Sequence, residues 1–190
     1  MNEPAKSETM TEIHVAKVIK KEPIVIATSV IESEFVELIT KSLHAFGDID
    51  WPVIIKPHPT TPKKWLEHFR ELPPNWVFIT TQPLEEVLNG AGVLIYMTTS
   101  SVFTAIQLGV PYVFVQSDLT IPIDNLAGTK WENTVGTPAE LRLATGIALL
   151  DGPKITPEEA QEIIKEFYGG PPDYGILNQI VDRQDAGRRQ

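Results

Sequence analysis

The chain has no cysteine. That excludes a disulfide framework, a thiolate zinc site and a cysteine nucleophile. It also lacks any run approaching the roughly 20 apolar residues that a membrane-spanning helix needs. Residues 1–12 are polar and mixed in charge, with no apolar segment that reads as a secretory signal. The expected address is the cytoplasm. Positive charge is scarce: Lys+Arg 16 against Asp+Glu 25 gives a formal net charge of -9 at pH 7. Non-specific binding to nucleic acid needs a basic face that displaces counterions, so no nucleic-acid partner is expected. Neither Gly-x-x-x-x-Gly-Lys-Ser/Thr nor Gly-x-Gly-x-x-Gly occurs, which argues against a kinase-type or dinucleotide role. No His/Asp/Glu spacing suggests a metal site, and none is expected.

What the chain does have is the composition of a soluble globular domain: 190 residues, 42% hydrophobic and 22% charged. At this length a folding chain buries roughly 70% of the surface it exposes when unfolded. Short apolar runs alternate with stretches of helical spacing. The runs are 23–28, 52–56, 76–79, 92–96 and 111–115. Between the first two, Phe35, Leu38/Ile39, Leu43 and Phe46 recur at three and four residues. Strands so uniformly apolar belong in a parallel sheet covered on both faces. The expected fold is α/β: an open, doubly wound, Rossmann-like parallel sheet of about five to six strands, followed by C-terminal helices.

Local signals mark helix starts. Ser29 with Glu32 has capping-box spacing, and Thr61-Pro62 reads as an N-cap followed by proline at the first helical position. Thr137-Pro138-Ala139-Glu140 and Thr156-Pro157-Glu158-Glu159 are stronger, each with Thr, Pro and a Glu three residues after the cap. Residues 119–136 read as a long loop with at most one short strand. A last short helix is expected around Ile176, Leu177, Ile180 and Val181, after a stop at 169–172. The division is a polar N-terminal extension (1–22), one domain (23–182) and a frayed tail (183–190).

In such a sheet, ligands bind beyond the carboxyl ends of the strands. The strands here end in Thr28-Ser29, Lys56-Pro57-His58-Pro59, Thr80-Thr81-Gln82, Met97-Thr98-Thr99-Ser100-Ser101 and Gln116-Ser117-Asp118. Parallel strands put all five on one rim. Thr99-Ser100-Ser101 leads into a helix, whose free first-turn amides favour an anion. The alternative is an ordinary serine cap. His58 stands between two prolines that hold it extended, placed to donate to a phosphate oxygen or protonate a leaving group. Lys56 precedes it, either at the same rim or as a solvated strand-end charge. His14, His44 and His68 read as surface or packing residues. Trp131 reads as packing the long loop onto the sheet, or as a stacking platform. Asp124-Asn125 in that loop has the same two readings.

Lys56-Pro57-His58-Pro59, followed some forty residues later by Thr99-Ser100-Ser101-Val102-Phe103-Thr104-Ala105-Ile106-Gln107-Leu108-Gly109-Val110-Pro111, resembles the donor-binding C-terminal half of GT-B glycosyltransferases. The resemblance is to capsule and Kdo transferases, polysialyltransferases and glycerophosphotransferases of the teichoic acid type. Those enzymes carry a His-Pro motif and a hydroxyl pair in the form Ser/Thr-Ser-x-x-x-Glu-Ala-x-x-x-Gly-x-Pro. The likeness covers approximately residues 23–150. It implies donor-phosphate contacts from His58, Thr99 and Ser100, with Ser101 assisting, and structural roles for Gly109 and Pro111. Where the family places a ribose-binding Glu this chain has Thr104, so that contact is lost or made by another residue.

The resemblance further implies a nucleotide-sugar donor, no separate cofactor, and a second α/β acceptor domain or subunit that supplies the catalytic base. No residue of this chain is assigned as that base. Two other readings stand beside it. One is a non-catalytic nucleotide or sugar-phosphate binding module; the other is a sugar-nucleotide epimerase-like domain.

Overall fold

The structure, a computed structural model, describes residues 21–121, 123–152 and 155–168. Residues 1–20 of the expected 1–22 extension, the stop at 169–172, the last short helix and the tail lie outside the described residues. Six strands form one sheet: β1 (Ile24–Ala27), β2 (Val53–Lys56), β3 (Trp76–Phe78), β4 (Val93–Tyr96), β5 (Tyr112–Val115) and β6 (Thr134–Val135). Their spatial order is β3-β2-β1-β4-β5-β6, and every neighbouring pair is parallel. This is an open, doubly wound, Rossmann-like α/β fold, as the alternating pattern predicts. The short strand inside the long loop is β6, at the sheet edge.

Alternation along the strands divides the core in two. Ile24, Ile26, Val53, Ile55, Val93 and Ile95 face α1 (Glu32–Phe46), α2 (Lys63–Leu66) and α5 (Pro138–Asp151), meeting Phe35, Leu38, Trp65 and Leu141. Val25, Ala27, Leu94, Tyr96 and Phe114 face α3 (Leu84–Leu88), α4 (Ser101–Leu108) and α6 (Pro157–Tyr168), meeting Leu88, Val102, Ile106 and Ile163. Trp131 packs on this second cluster, which is the packing reading of that residue. No helix among the described residues is long and apolar enough to cross a membrane.

The two strong capping boxes form. Thr137 Oγ1 accepts from the Glu140 amide at 3.3 Å, and Glu140 accepts in return from the Thr137 amide at 2.9 Å. Thr156 and Glu159 repeat the exchange at 3.2 and 3.1 Å. The Glu140 carboxyl is held below its usual range by the Thr137 and Gly136 amides.

The two weaker signals do not form caps. The N-cap of α1 is Ile31, so Glu32 enters at the first helical position, too early to reach back. Ser29 Oγ instead accepts from the Ile31 amide at 3.1 Å, turning the chain out of β1. At α2, Pro62 is the extended N-cap itself, and the helix runs one turn before tightening into a 3₁₀ turn at Glu67–Phe69. His68 meets Glu32 at the surface, and His44 is exposed, both as read from the sequence. His14 lies outside the described residues.

An ionic cluster, buried at Glu37 and Lys41 and exposed at Asp118, ties α1 to the segment after β5. Lys41 Nζ lies 2.9 Å from both Glu37 and Asp118 and donates to the Gln116 carbonyl at 2.7 Å. Glu37 also accepts from the Ser117 hydroxyl at 2.6 Å and the Asp118 amide at 2.7 Å. Burial works against the Glu37 charge. The bonds from Ser117, the Asp118 amide and Lys41 together outweigh it and hold the carboxyl below its usual range. Burial likewise opposes the charge on Lys41, and its two carboxylate partners outweigh it, so its pKa lies above the ordinary lysine value.

Lys41→Met strips the counter-ion from a buried carboxylate. It is expected to cost about 3 kcal/mol in urea unfolding, with much of the loss recovered in the Glu37→Gln/Lys41→Met double variant. A depressed Glu37 pKa contributes stability above its unfolded value. That contribution should fade as pH falls through the acid range in the wild type, and be missing from the double variant's pH–stability curve.

Candidate functional site

The strand order reverses between β1 and β4, so connections leave in opposite directions and open a crevice at their carboxyl ends. A cavity of about 290 Å3 lies there. Its walls come from the ends of four strands: Ala27 and Thr28 after β1, Lys56 to Pro59 after β2, Thr80 to Leu84 after β3, and Thr99 and Ser101 after β4. The sequence motifs around His58 and Thr99 therefore converge on one space. The register explains why: Ala27 pairs with both Lys56 and Tyr96, so β1, β2 and β4 end level.

Lys56, His58, Thr99 and Ser101 share the cavity. Ser100 and Thr104 are not among its walls. Ser100 is the exposed N-cap of α4, and its side chain makes no capping bond. Thr104 is half-buried in the second helical turn.

Lys56 is the unexpected member. It is 6% exposed, which overturns the solvated-charge alternative. Among the described residues, no carboxylate pairs with its ammonium, and none lines the cavity. The Lys56 stem is buried while its ammonium keeps an open side and has no counter-ion, which an anionic ligand in the cavity would supply.

The hydroxyls tell the same story. Thr28 Oγ1 and Ser101 Oγ are buried and have no hydrogen-bond partner, and both residues line the cavity. Native interiors rarely leave such groups unpaired, so each has a donor to offer a ligand. Thr28 belongs to a polar strand end visible in the sequence; its burial and lack of a partner are visible only in the structure.

His58 is half-buried on its two prolines. Its Nδ1 lies 2.8 Å from Thr60 Oγ1 and accepts from the Thr60 amide at 3.3 Å. A neutral ring whose Nδ1 accepts carries its proton on Nε2, which is then the donor. At the start of α4 the Ser101 amide reaches Thr99 Oγ1 at 3.4 Å and the Phe103 amide donates to the Ser100 carbonyl at 3.1 Å, and the helix start adds a positive dipole end. The set consists of a cation, an imidazole donor, hydroxyls and helix amides, with no carboxylate. It is suited to a phosphate or diphosphate.

Larger cavities, of about 370 and 740 Å3, border α6 near the opposite end of the sheet. Their walls are mainly apolar, and Lys130 at one mouth is already paired with Glu159. No group of three or more His, Asp or Glu among the described residues could hold a metal ion.

No protein-family model matches the chain, and no curated protein matches it in sequence. Solved structures do match its fold. The spinosyn rhamnosyltransferase SpnG superposes with a TM-score of 0.61 at 15% identity, over 84% of this chain and 45% of that one. The glycosyltransferase VinC, in complex with dTDP, gives 0.56 at 18%, over 86% of this chain and 41% of that one. The UDP-GlcNAc 2-epimerase of Methanocaldococcus jannaschii, in complex with UDP-GlcNAc and UDP, gives 0.50 at 16%, over 78% of this chain and 46% of that one. The chain spans less than half the length of each of these three proteins. The likeness is one of fold.

The Lys56 ammonium has no carboxylate partner among the described residues, so replacing it by an apolar chain of similar volume breaks no ion pair. Lys56→Met is therefore expected to leave the thermal midpoint unchanged or raise it, unlike Lys41→Met. Thermal unfolding of the two variants side by side checks this; a clear drop for Lys56→Met contradicts an unpaired Lys56.

Proposed function

We propose that this chain is the donor-binding half of a GT-B-type glycosyltransferase or glycerophosphotransferase in surface-polysaccharide synthesis. The observation that carries the proposal is the cavity joining Lys56 and His58 to Ser101 and the first turn of α4, with no carboxylate in its walls. The fold shared with glycosyltransferases supports it, as does the loop resemblance around His58 and Thr99.

In this reading the phosphate of a nucleotide-activated sugar or glycerol sits against the start of α4. Lys56, the Ser101 hydroxyl, His58 Nε2 and the helix amides oppose the charge that grows on the departing nucleotide. Fixed donors aimed at developing charge lower the barrier without reorganising during the reaction. The donor is the substrate, and no further cofactor is invoked. Thr104 is too far along α4 to line the cavity, so ribose recognition falls to the Thr80–Gln82 loop or to the other half of the enzyme.

The acceptor site and the catalytic base are assigned to a second α/β domain or subunit. The lengths of the structural neighbours favour that division. So do Val30, Ile31, Leu119, Ile121 and Ile123, exposed apolar side chains in the connections that leave β1 and β5 at the same rim. Binding of the donor without turnover, in the presence of every acceptor and partner domain, would turn the reading into a non-catalytic nucleotide module. The epimerase of similar fold makes interconversion of the donor sugar the second activity to assay.

Calorimetry of the full chain with UDP, dTDP, CDP and CMP tests the binding claim. At least one should bind, and Lys56→Met, His58→Ala and Ser101→Ala should each weaken it, Lys56→Met by tenfold or more. The matching nucleosides should be insensitive to all three changes. Failure of every nucleotide to bind the wild type sinks the proposal.

A further inference from the structure

The segment that opens α4 is strained. Thr98 has φ 26, a left-handed backbone at a β-branched residue, and among described non-glycine residues it stands alone in this. Such a conformation persists only where its surroundings over-determine it. Inside the segment, support is thin. The Ser101 amide reaches Thr99 Oγ1 at 3.4 Å, the Thr98 hydroxyl is buried without a partner, and Ser100 makes no side-chain cap.

The support comes from the β5–β6 connection. Asp124 Oδ1 accepts from the buried Tyr96 hydroxyl at 2.9 Å and from the Leu126 amide at 3.0 Å, and its Oδ2 accepts from Thr134 Oγ1 at 3.2 Å. Burial, followed by the adjacent Asp124 charge, pushes the Tyr96 pKa upward, so the phenol stays a donor. The next residue, Asn125, donates from Nδ2 to the Thr99 carbonyl at 3.1 Å. The turn is thus fastened to β4 at Tyr96 and again at Thr99, and the left-handed residue lies between the two fastenings.

We infer that Asn125 is a positioning residue for the anion site. By holding the Thr99 carbonyl away from the cavity it turns the following amides, and Ser101, toward the ligand. A carbonyl released from Asn125 is free to rotate, and the peptide it belongs to carries the Ser100 amide with it. The role rests on the phosphate-binding reading above. Asp124 sets the turn, and Asn125 transmits it.

The test uses the 15N-labelled full chain and two variants, Asn125→Ala and the isosteric Asn125→Asp, which keeps the shape and loses the donor. Backbone amide shifts of Ser100, Ser101 and Val102 are read first, without ligand. Both variants should move them well beyond the changes seen in β2 and α2, with little loss in thermal midpoint. Binding of inorganic pyrophosphate and of UDP is then measured by calorimetry. Asn125→Ala should weaken both about five- to tenfold. Asn125→Asp should weaken them further, because a carboxylate would face both a carbonyl and the bound anion.

Unmoved α4 amides in a folded variant overturn the inference, whatever binds. So does unchanged pyrophosphate and UDP affinity where the wild type binds them and Lys56→Met does not. If the wild type binds neither probe, the nucleotide reading falls, and the anion role of Asn125 falls with it. Should Asn125→Ala not fold, Tyr96→Phe loosens the same turn from the other fastening and must shift the same amides.

Discussion

A parallel strand covered on both faces has nowhere along its length to place a polar side chain. In β1 all four residues are buried, as they are in β4 and β5. Polar chemistry is therefore pushed to the strand ends, and because the strands are parallel the carboxyl ends coincide. The reversal of order between β1 and β4 then keeps the connecting helices from closing over those ends. A cavity with Thr28, Lys56, Thr80 and Ser101 in its walls is a direct product of this constraint. The same alternation supplies the two apolar layers, so the core and the site have one origin.

Two buried lysines show how different uses of one residue type can be told apart. Lys41 is about as buried as Lys56, yet it meets Glu37, Asp118 and a carbonyl oxygen, and its charge is answered within the fold. It fixes α1 against the segment leaving β5. Lys56 is surrounded by hydroxyls, prolines and an imidazole, with no carboxylate in the cavity it lines. The first arrangement is complete without a ligand; the second leaves an ammonium with no carboxylate partner among the described residues. This asymmetry, more than fold likeness at identities below 25%, gives the site its chemical character.

The rim also divides into parts with different mechanical roles. His58 is stiffened from within its own loop, by Pro57, Pro59 and the bonds to Thr60. The start of α4 lacks such internal support and leans on Asp124 and Asn125, more than twenty residues later in the chain. The donors facing the cavity are thus preorganised by two devices, one local and one tertiary. Preorganisation of this kind is what lets a small polar set act on charge that develops elsewhere.

The sequence by itself determined the elements and the rim. Short, uniformly apolar runs marked the strands and three-and-four spacings the helices, because a strand covered on both faces needs apolar residues throughout and a helix needs them on one side. The Thr-Pro-x-Glu boxes at Thr137 and Thr156 formed as read, since every group they need lies within four residues. Ser29 with Glu32 had the same spacing and no box, because the exit from β1 moved the helix start to Glu32, and that exit is set by packing. His58 and Thr99 were legible as strand-end residues. That they meet at one cavity, that Ser100 and Thr104 do not line it, and that Lys56 is buried were decided only in three dimensions. So were the pairing of Lys41 and the fastening of Thr99 by Asn125. The meeting of His58 with Thr99, the pairing of Lys41 with Asp118 and the fastening of Thr99 by Asn125 join groups 26 to 77 residues apart in the chain. Contact at that separation is fixed by strand register and layer packing, which leave no local trace for spacing to reveal.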